Sequence, residues 1–486
     1  MPQDQEPVEF RKIDEYRWEI PQTGAMRVPG LIYADEGLMQ SIRHDNAPQQ
    51  VKNVACLPGI IERSLAMPDI HWGYGFPIGG VAATDPQHDG VISPGGVGYD
   101  ICCGVRLHSS NLTRDALQPN LRKVVDALYN TVPAGVGSHG AISKLSAGEQ
   151  KQLLAQGARW ALDHGYGDEA DLAHIEEGGS LPAADPEAVG PRAIERGLKQ
   201  VGTLGSGNHF LEVSYVDRVF DPVIAETFGL WENQIVVLIH SGSRGLGYQV
   251  CSDYLEVMER AVRKYDIRLP DRQLACAPIR SPEGERYFAA MSCAANYAWA
   301  NRQCITQLAR RSFQHALGMG PGDLGMRLVY DNGHNIAKFE EHVVAGRRTQ
   351  VCVHRKGATR AFGPGHPQLA PDHRDVGQPV IIPGDMGTAS YVCAGTQRAL
   401  EETFGSSAHG AGRVMSRSQA KKRARGRGLQ RELEDRGVYV RSTGHDTLAE
   451  EMPEAYKDVD QVVEAISGAG LVRKVARFRP IGVVKG

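Results

Sequence analysis

Short apolar runs alternate with amphipathic stretches along most of the chain. Ile235-Val236-Val237-Leu238-Ile239, Arg327-Leu328-Val329-Tyr330, Gln350-Val351-Cys352-Val353 and Val380-Ile381-Ile382 each lead into a turn rich in small or polar residues, which predicts buried strands. Between them a helical spacing of apolar positions predicts helices from about Asn120 to Tyr129, Ala141 to Leu162, Tyr248 to Lys264 and Gly284 to Leu317. The mixture predicts an α/β (mixed α+β) architecture, with central β-sheets and surrounding helices. The chemically suggestive motifs run from position 100 to 413 with no linker-like composition between them. One large catalytic domain spanning residues 1–486 is therefore expected, in place of separable modules.

Composition sharpens this picture at two points. The chain has 56 glycines among 486 residues, above the roughly 7% of average usage, and they gather around His and Cys positions. Glycine lets backbone approach a ligand closely, so the excess suggests loops built around something small and charged. The nine cysteines include no CxxC pair, which argues against a disulfide framework and for a reducing compartment. Residues Met1 to Ile20 are polar and acidic, without the apolar stretch of a signal peptide, and no run approaches a membrane span. A soluble, cytoplasmic protein without membrane contact is the expectation. The net charge of −3 offers no global attraction for nucleic acid, so any polyanion must be held by a local patch.

The chemistry lies in isolated ligand-type residues seated in Gly-rich turns. Asp100 and Cys103 occur in Pro94-Gly95-Gly96-Val97-Gly98-Tyr99-Asp100-Ile101-Cys102-Cys103-Gly104, His209 in Gly205-Ser206-Gly207-Asn208-His209, and His240 in His240-Ser241-Gly242-Ser243-Arg244-Gly245. His334 follows in Asn332-Gly333-His334-Asn335, and His409 in Ala408-His409-Gly410-Ala411-Gly412-Arg413. Any one of these alone reads as an ordinary turn residue; together they read differently. One carboxylate, one thiol and three imidazoles exceed the needs of a single four-coordinate cation. Two neighbouring cations sharing a bridging ligand would use them all and leave His409 for chemistry. Thiolate and imidazole favour zinc, whereas carboxylate admits manganese or magnesium, and spacing does not choose between them. Cys102 competes with Cys103 for the ligand role, its other reading being a small buried residue.

His409 reads as a nucleophile toward phosphorus, with a sixth metal ligand or a general acid as alternatives. Gly135-Val136-Gly137-Ser138-His139-Gly140 matches GxGxxG in form but follows a helical segment, so it fails the dinucleotide-fold context. The loops Gly205–Gly207, Pro383–Met386 and Gly410–Gly412 are better phosphate cradles. Arg413, Arg417, Lys421, Lys422, Arg423, Arg425, Arg427 and Arg431 form a basic stretch, either a solvated face or an RNA-backbone contact. Lys485, by composition, is a solvated tail lysine. Two other readings of the same residues are a two-metal phosphoesterase with His409 as general acid and an RNA-binding scaffold with a decayed site.

From Met67-Pro68-Asp69-Ile70-His71 through Lys485-Gly486, these motifs occur in the order found in the RtcB family of RNA ligases, which the chain closely resembles. The resemblance implies a GTP- and Mn²⁺-dependent enzyme of tRNA splicing or RNA repair. It would join an RNA 3′-phosphate, or a 2′,3′-cyclic phosphate after hydrolysis, to a 5′-hydroxyl through a His409–GMP intermediate. It also implies that Asp100, Cys103 and His209 hold one Mn²⁺, and Cys103, His240 and His334 the other. Contacts to the guanine nucleotide would come from Asn208, His209, Phe210, Leu211, Glu212, His334, Asn335, Pro383, Gly384, Asp385, Met386, Ser390, His409, Gly410, Ala411, Gly412 and Lys485. The family has its own α/β fold, and an archease-type partner often assists guanylylation. Two positions depart from the family pattern, which often has Asn at Cys102 and Ser at Asp385. A carboxylate at Asp385 would repel phosphate unless it points away or touches a metal.

Overall fold

The structure, a computed structural model, describes residues 8–486, so the first seven positions of the polar N-terminal stretch lie outside the described residues. The apolar runs do become strands. Ile235–Ile239 lies inside the fully buried strand Gln234–Ser241, Arg327–Tyr330 inside Arg327–Gly333, Gln350–Val353 inside Arg347–Lys356, and Val380–Ile382 inside Pro379–Ile382. A strand buried on both faces carries no alternation, which is why these segments read as continuous apolar runs.

Two large sheets result. The first runs in the order Arg11–Lys12, Arg17–Ile20, Gly30–Tyr33, Ser64–His71, Ile78–Thr84, Arg347–Lys356, Asn335–Val344. The second runs Arg327–Gly333, Gly104–Thr113, Gln234–Ser241, Phe210–Val219, Val472–Lys485, Ser390–Gly395, Pro379–Ile382, with Tyr439–Ser442 pairing parallel to Val472–Lys485. Nearly all other pairings are antiparallel, the exception being Gly30–Tyr33 against Ser64–His71. The architecture thus falls on the α+β side of the expected mixture. His334 is the single residue between a strand of the second sheet, Arg327–Gly333, and a strand of the first, Asn335–Val344.

The helices at Leu121–Thr131, Arg244–Lys264 and Pro282–Leu317 match the predicted ones within a few residues. The stretch from Ala141 to Leu162 does not form one helix. Ser146 starts Ala147–Gln156 with a capping box to Glu149, and a second helix, Ala158–Asp163, begins after Gly157. Gly157 has φ +60°, and a Cβ there would collide with the Gly179 carbonyl. The break is therefore set by close backbone approach, which helical periodicity does not register. No helix among the described residues is long and apolar enough to cross a membrane.

The helix Pro282–Leu317 carries a buried charge cluster under the second sheet. Arg302 pairs with Asp331 through two hydrogen bonds of 2.9 and 2.7 Å, and Arg106 pairs with the same carboxylate. Arg302 also donates to the carbonyls of Cys102 (2.7 Å) and Ser241 (3.0 Å). All three charged side chains are fully buried. Removing the shared carboxylate strands two guanidiniums in a dry core, a loss of the order of 3–5 kcal/mol. Asp331→Ala is expected to lower the denaturant midpoint accordingly, whereas Asp163→Ala, at an exposed position, should leave it nearly unchanged.

Candidate functional site

The ligand-type residues collect at one end of the second sheet because antiparallel neighbours start and finish there in turn. Cys103 precedes the strand Gly104–Thr113 and His209 precedes Phe210–Val219, while His334 follows Arg327–Gly333. The register places His240 opposite both Val105 and Phe210, and Gly333 opposite Gly104. The His334 amide donates to the Cys103 carbonyl at 2.9 Å, closing the gap between the outer two.

Cys103 Sγ lies 3.4 Å from His209 Nε2 and 3.2 Å from His240 Nε2, and His240 Nε2 lies 3.3 Å from His334 Nε2. Asp100 Oδ2 is 2.7 Å from His209 Nε2. Two donor groups emerge, Asp100–Cys103–His209 and Cys103–His240–His334, and they share the Cys103 sulfur. Bonds of about 2.0–2.3 Å to a tetrahedral cation put donor atoms roughly 3.3–3.8 Å apart, so the thiol and imidazole spacings fit cation binding. His209 Nδ1 faces the Leu204 carbonyl at 2.9 Å, which fixes that nitrogen as the N–H and leaves Nε2 as the ligand atom.

Electrostatics agree with the spacing. Burial opposes ionisation of Asp100, but the His209 imidazole outweighs it and holds the carboxyl down at about 2. Burial, aided by neighbouring cationic groups, keeps His240 and His334 well below the usual imidazole range and therefore neutral. Burial and then Asp100 push the Cys103 thiol well up. The pocket thus gathers one carboxylate, one thiol and three imidazoles.

Cys102 turns the other way. Its backbone has φ +53°, its thiol lies 3.8 Å from Arg302 Nη2, and burial raises it to about 12. It belongs to neither donor group.

His409 sits against this centre, its ring centroid 4.8 Å from that of His334. Asp69, fully buried in the strand Ser64–His71, accepts both the His409 backbone N–H (3.0 Å) and Nδ1–H (2.6 Å) on one oxygen. Nδ1 therefore carries a proton, and the orientation of the ring is fixed. Lys457 holds the strand around Asp69 by donating to the carbonyls of Pro68 (2.9 Å) and Ile70 (2.6 Å). Gly412 lets the chain pass close over Asp69, since a Cβ there would meet the Asp69 carbonyl. In the sequence Asp69 stands only within Met67-Pro68-Asp69-Ile70-His71, with no role marked out for it. A lone Asp beside proline, 340 residues from its partner, leaves no local signal.

A cavity of about 470 Å³ joins these groups and is lined by Asp100, Cys103, His240, His334, His409 and, further out, Tyr74, Tyr99 and Tyr248. Most of the expected nucleotide contacts line it as well: Asn208, Phe210, Glu212, Asn335, Pro383 to Met386, Gly410 to Gly412 and Lys485. Strand alternation turns Leu211 away, into the apolar core beneath. Ser390 supports the Pro383–Met386 loop from behind, accepting the Gly384 N–H at 3.3 Å. Asp385 accepts from Gly387 N and Thr388 Oγ1, both at 2.8 Å, so its carboxylate is tied to its own turn. Burial raises Glu212 to about 7 despite its hydrogen bond from Ser214 (2.7 Å).

Two compositional readings are corrected. Lys485 is no solvated tail: it ends the strand Val472–Lys485, is 3% exposed, and stands 4.0 Å from Glu451 and 5.8 Å from the Phe210 ring centroid. The basic stretch is not uniformly free charge. Arg413 pairs with Glu451 (3.1 Å), Lys421 with Glu450 (2.7 Å), and Arg427 with Glu432 (2.5 Å) and Glu454 (2.9 Å). Lys422, Arg423, Arg425 and Arg431 remain exposed. The GxGxxG segment forms a loop in which the Gly135 N–H donates to the Gly205 carbonyl at 2.7 Å, and no helix starts at Gly140; the next, Ala147–Gln156, begins seven residues on.

Comparison with known proteins agrees with this geometry. The family model described as tRNA-splicing ligase RtcB matches residues 50–486. The tRNA-splicing ligase RtcB of Archaeoglobus fulgidus is 57% identical over 479 residues, covering 98% of this chain and 99% of its own. That of Thermococcus kodakarensis is 55% identical, covering 99% and 100%. The RNA-splicing ligase RtcB of Mycobacterium tuberculosis is 54% identical over 90% of this chain and all of its own. With ligand-type residues converging on one cavity and relatives matched over nearly the full length, the chain belongs to the tRNA-splicing ligase RtcB family.

Proposed function

We propose that the protein is a GTP- and Mn²⁺-dependent RNA ligase that joins 3′-phosphate or 2′,3′-cyclic phosphate ends to 5′-hydroxyl ends, in tRNA splicing or RNA repair. The observation that carries this reading is the Asp69–His409 pair beside two donor groups sharing one sulfur. An imidazole anchored at Nδ1 leaves Nε2 to serve as the nucleophile of the ligase or as the general acid of a phosphoesterase, and a covalent GMP adduct separates the two.

In the proposed sequence His409 Nε2 attacks the α-phosphorus of GTP, forms an N–P bond and expels pyrophosphate. Asp69 holds the imidazole in the required tautomer and steadies the positive charge that develops on the ring. An oxygen of the RNA 3′-phosphate then attacks the same phosphorus, breaking the N–P bond and freeing His409. The 5′-hydroxyl finally attacks the activated 3′-phosphorus and displaces GMP, with the entering and leaving oxygens in line. Bound between the donor groups, Mn²⁺ would supply Lewis-acid neutralisation of the phosphate oxygens. Asp100, Cys103 and His209 would hold one ion, and Cys103, His240 and His334 the other. In the same cavity, Glu212 offers acceptors that suit the guanine N1–H and amino group. Lys485 brings a cation, and Phe210 and Tyr456 an apolar wall. Exposed Lys422, Arg423 and Arg425 offer a surface for the RNA backbone.

Three outcomes test the reading. Cys103→Ser should lower bound Mn²⁺ at both positions, whereas Cys102→Ser should leave metal content unchanged; equal loss in the two variants, by elemental analysis, would remove the bridging assignment. With labelled GTP and Mn²⁺ the protein should acquire an acid-labile, alkali-stable GMP label. His409→Ala should abolish it, and Asp69→Asn should slow it by roughly a hundredfold or more. The His409→Ala protein should still seal RNA that already carries a 3′-terminal GMP cap. Label retained on His409→Ala would point to another nucleophile, and no label on the unmutated protein would favour the phosphoesterase. Finally, neutralising Lys422, Arg423 and Arg425 should weaken RNA binding and flatten its salt dependence while guanylylation persists. An unchanged salt slope returns this stretch to a solvated face.

A further inference from the structure

A third group of metal-type ligands converges away from the catalytic cavity. Candidate donor atoms of His174, Asp372 and His373 lie within 4.8 Å of one another. His174 follows the short helix Glu169–Leu172, and Asp372 and His373 lie in the loop between the strands Ala358–Arg360 and Pro379–Ile382. The Asp331 amide donates to the His174 carbonyl at 2.9 Å, so the group borders the strand that ends at His334, about 10 Å further along.

Hydrogen bonding fixes the orientation of His174. Its Nδ1 faces the Ala170 carbonyl at 3.2 Å, and a carbonyl only accepts, so Nδ1 carries a proton. Its Nε2 then turns a lone pair onto Asp372 Oδ2 at 2.9 Å, acceptor against acceptor. A positive charge must stand there, either a second proton on the ring or a cation. His373 adds a third donor. Its Nε2 lies 4.0 Å from the same carboxylate oxygen, and its ring centroid 5.0 Å from that of His174. The ring is buried and its Nδ1 has no partner among the described residues, as is also true of Nδ1 in His240. The His373 ring is also held by packing against Phe228 (5.0 Å) and Tyr330 (6.2 Å), and with its Nε2 near the oxygen that His174 faces, the three side chains make a donor set for one shared cation.

The surroundings suit a cation with one exchangeable position. The three residues line a cavity of about 850 Å³ together with Asp168, Glu226 and Glu232. Of the basic residues on its wall, Arg310 is taken up by Asp171 at 2.7 Å, while Arg327 stands exposed. Two imidazoles and one carboxylate are borderline donors that favour zinc-class ions over magnesium or calcium. Three protein ligands leave a fourth position for water.

We propose that His174, Asp372 and His373 form a third divalent-cation site, of the zinc class, independent of the paired catalytic donors. An ion there would tie the loop carrying Asp372 to the segment carrying His174, beside the strand that delivers His334.

Zinc added to the metal-stripped full chain, followed by desalting and elemental analysis, tests this. The unmutated protein should retain three ions per chain, and Asp372→Asn and His174→Ala two each, with unchanged circular dichroism. Cys103→Ser should lose ions from the catalytic centre yet keep this one, and Asp372→Asn should still form the GMP adduct. Equal zinc in the unmutated and Asp372→Asn proteins would overturn the proposal, as would a Cys103→Ser protein that retains no zinc. A chain that binds a single ion, lost in Asp372→Asn, would support this site while rejecting the paired centre.

Discussion

One buried guanidinium sets the geometry of the catalytic end. Arg302 grips the Cys102 and Ser241 carbonyls and the Asp331 carboxylate at once, and these three segments end in Cys103, His240 and His334. A charge in a dry interior is tolerated only while its hydrogen bonds are complete. None of the three segments can drift without leaving part of Arg302 unsatisfied. The relative positions of a thiol and two imidazoles are thereby fixed, which is the preorganisation a metal centre would require.

The nucleophile candidate is held by a separate device from the other sheet. Asp69 lies in the strand Ser64–His71, is buried, and binds both the backbone and the ring of His409. Lys457 in turn fixes the carbonyls on either side of Asp69. The site therefore forms at the junction of two sheets, one contributing most of the donors and the other the anchor for His409. His334 belongs to both, since its strand leaves one sheet and enters the other at that residue. Such a junction gathers residues from distant parts of the chain in one cavity.

Charges that look alike in the sequence do different work. Lys485 is the penultimate residue yet is buried in the cavity wall, because the last strand pairs with Phe210–Val219 and brings Lys485 opposite Phe210. Arg413, Lys421 and Arg427 are absorbed by glutamates between positions 432 and 454, whereas Lys422 and Arg423, on the exposed side of the helix Arg417–Arg423, are left to solvent. Asp385, an apparent obstacle to phosphate, is bound to its own loop.

By itself the sequence determined the features that local chemistry specifies. Fully apolar runs became central strands, the long amphipathic stretches became helices, and ligand-type residues in Gly-rich turns marked Asp100, Cys103, His209, His240, His334 and His409. Only the tertiary structure decided between Cys102 and Cys103, since adjacent residues differ in direction through one positive φ. It alone supplied Asp69, broke the helix at Gly157 and buried Lys485. Each of these depends on a partner tens to hundreds of residues away, and a window of local periodicity contains no term for such contacts.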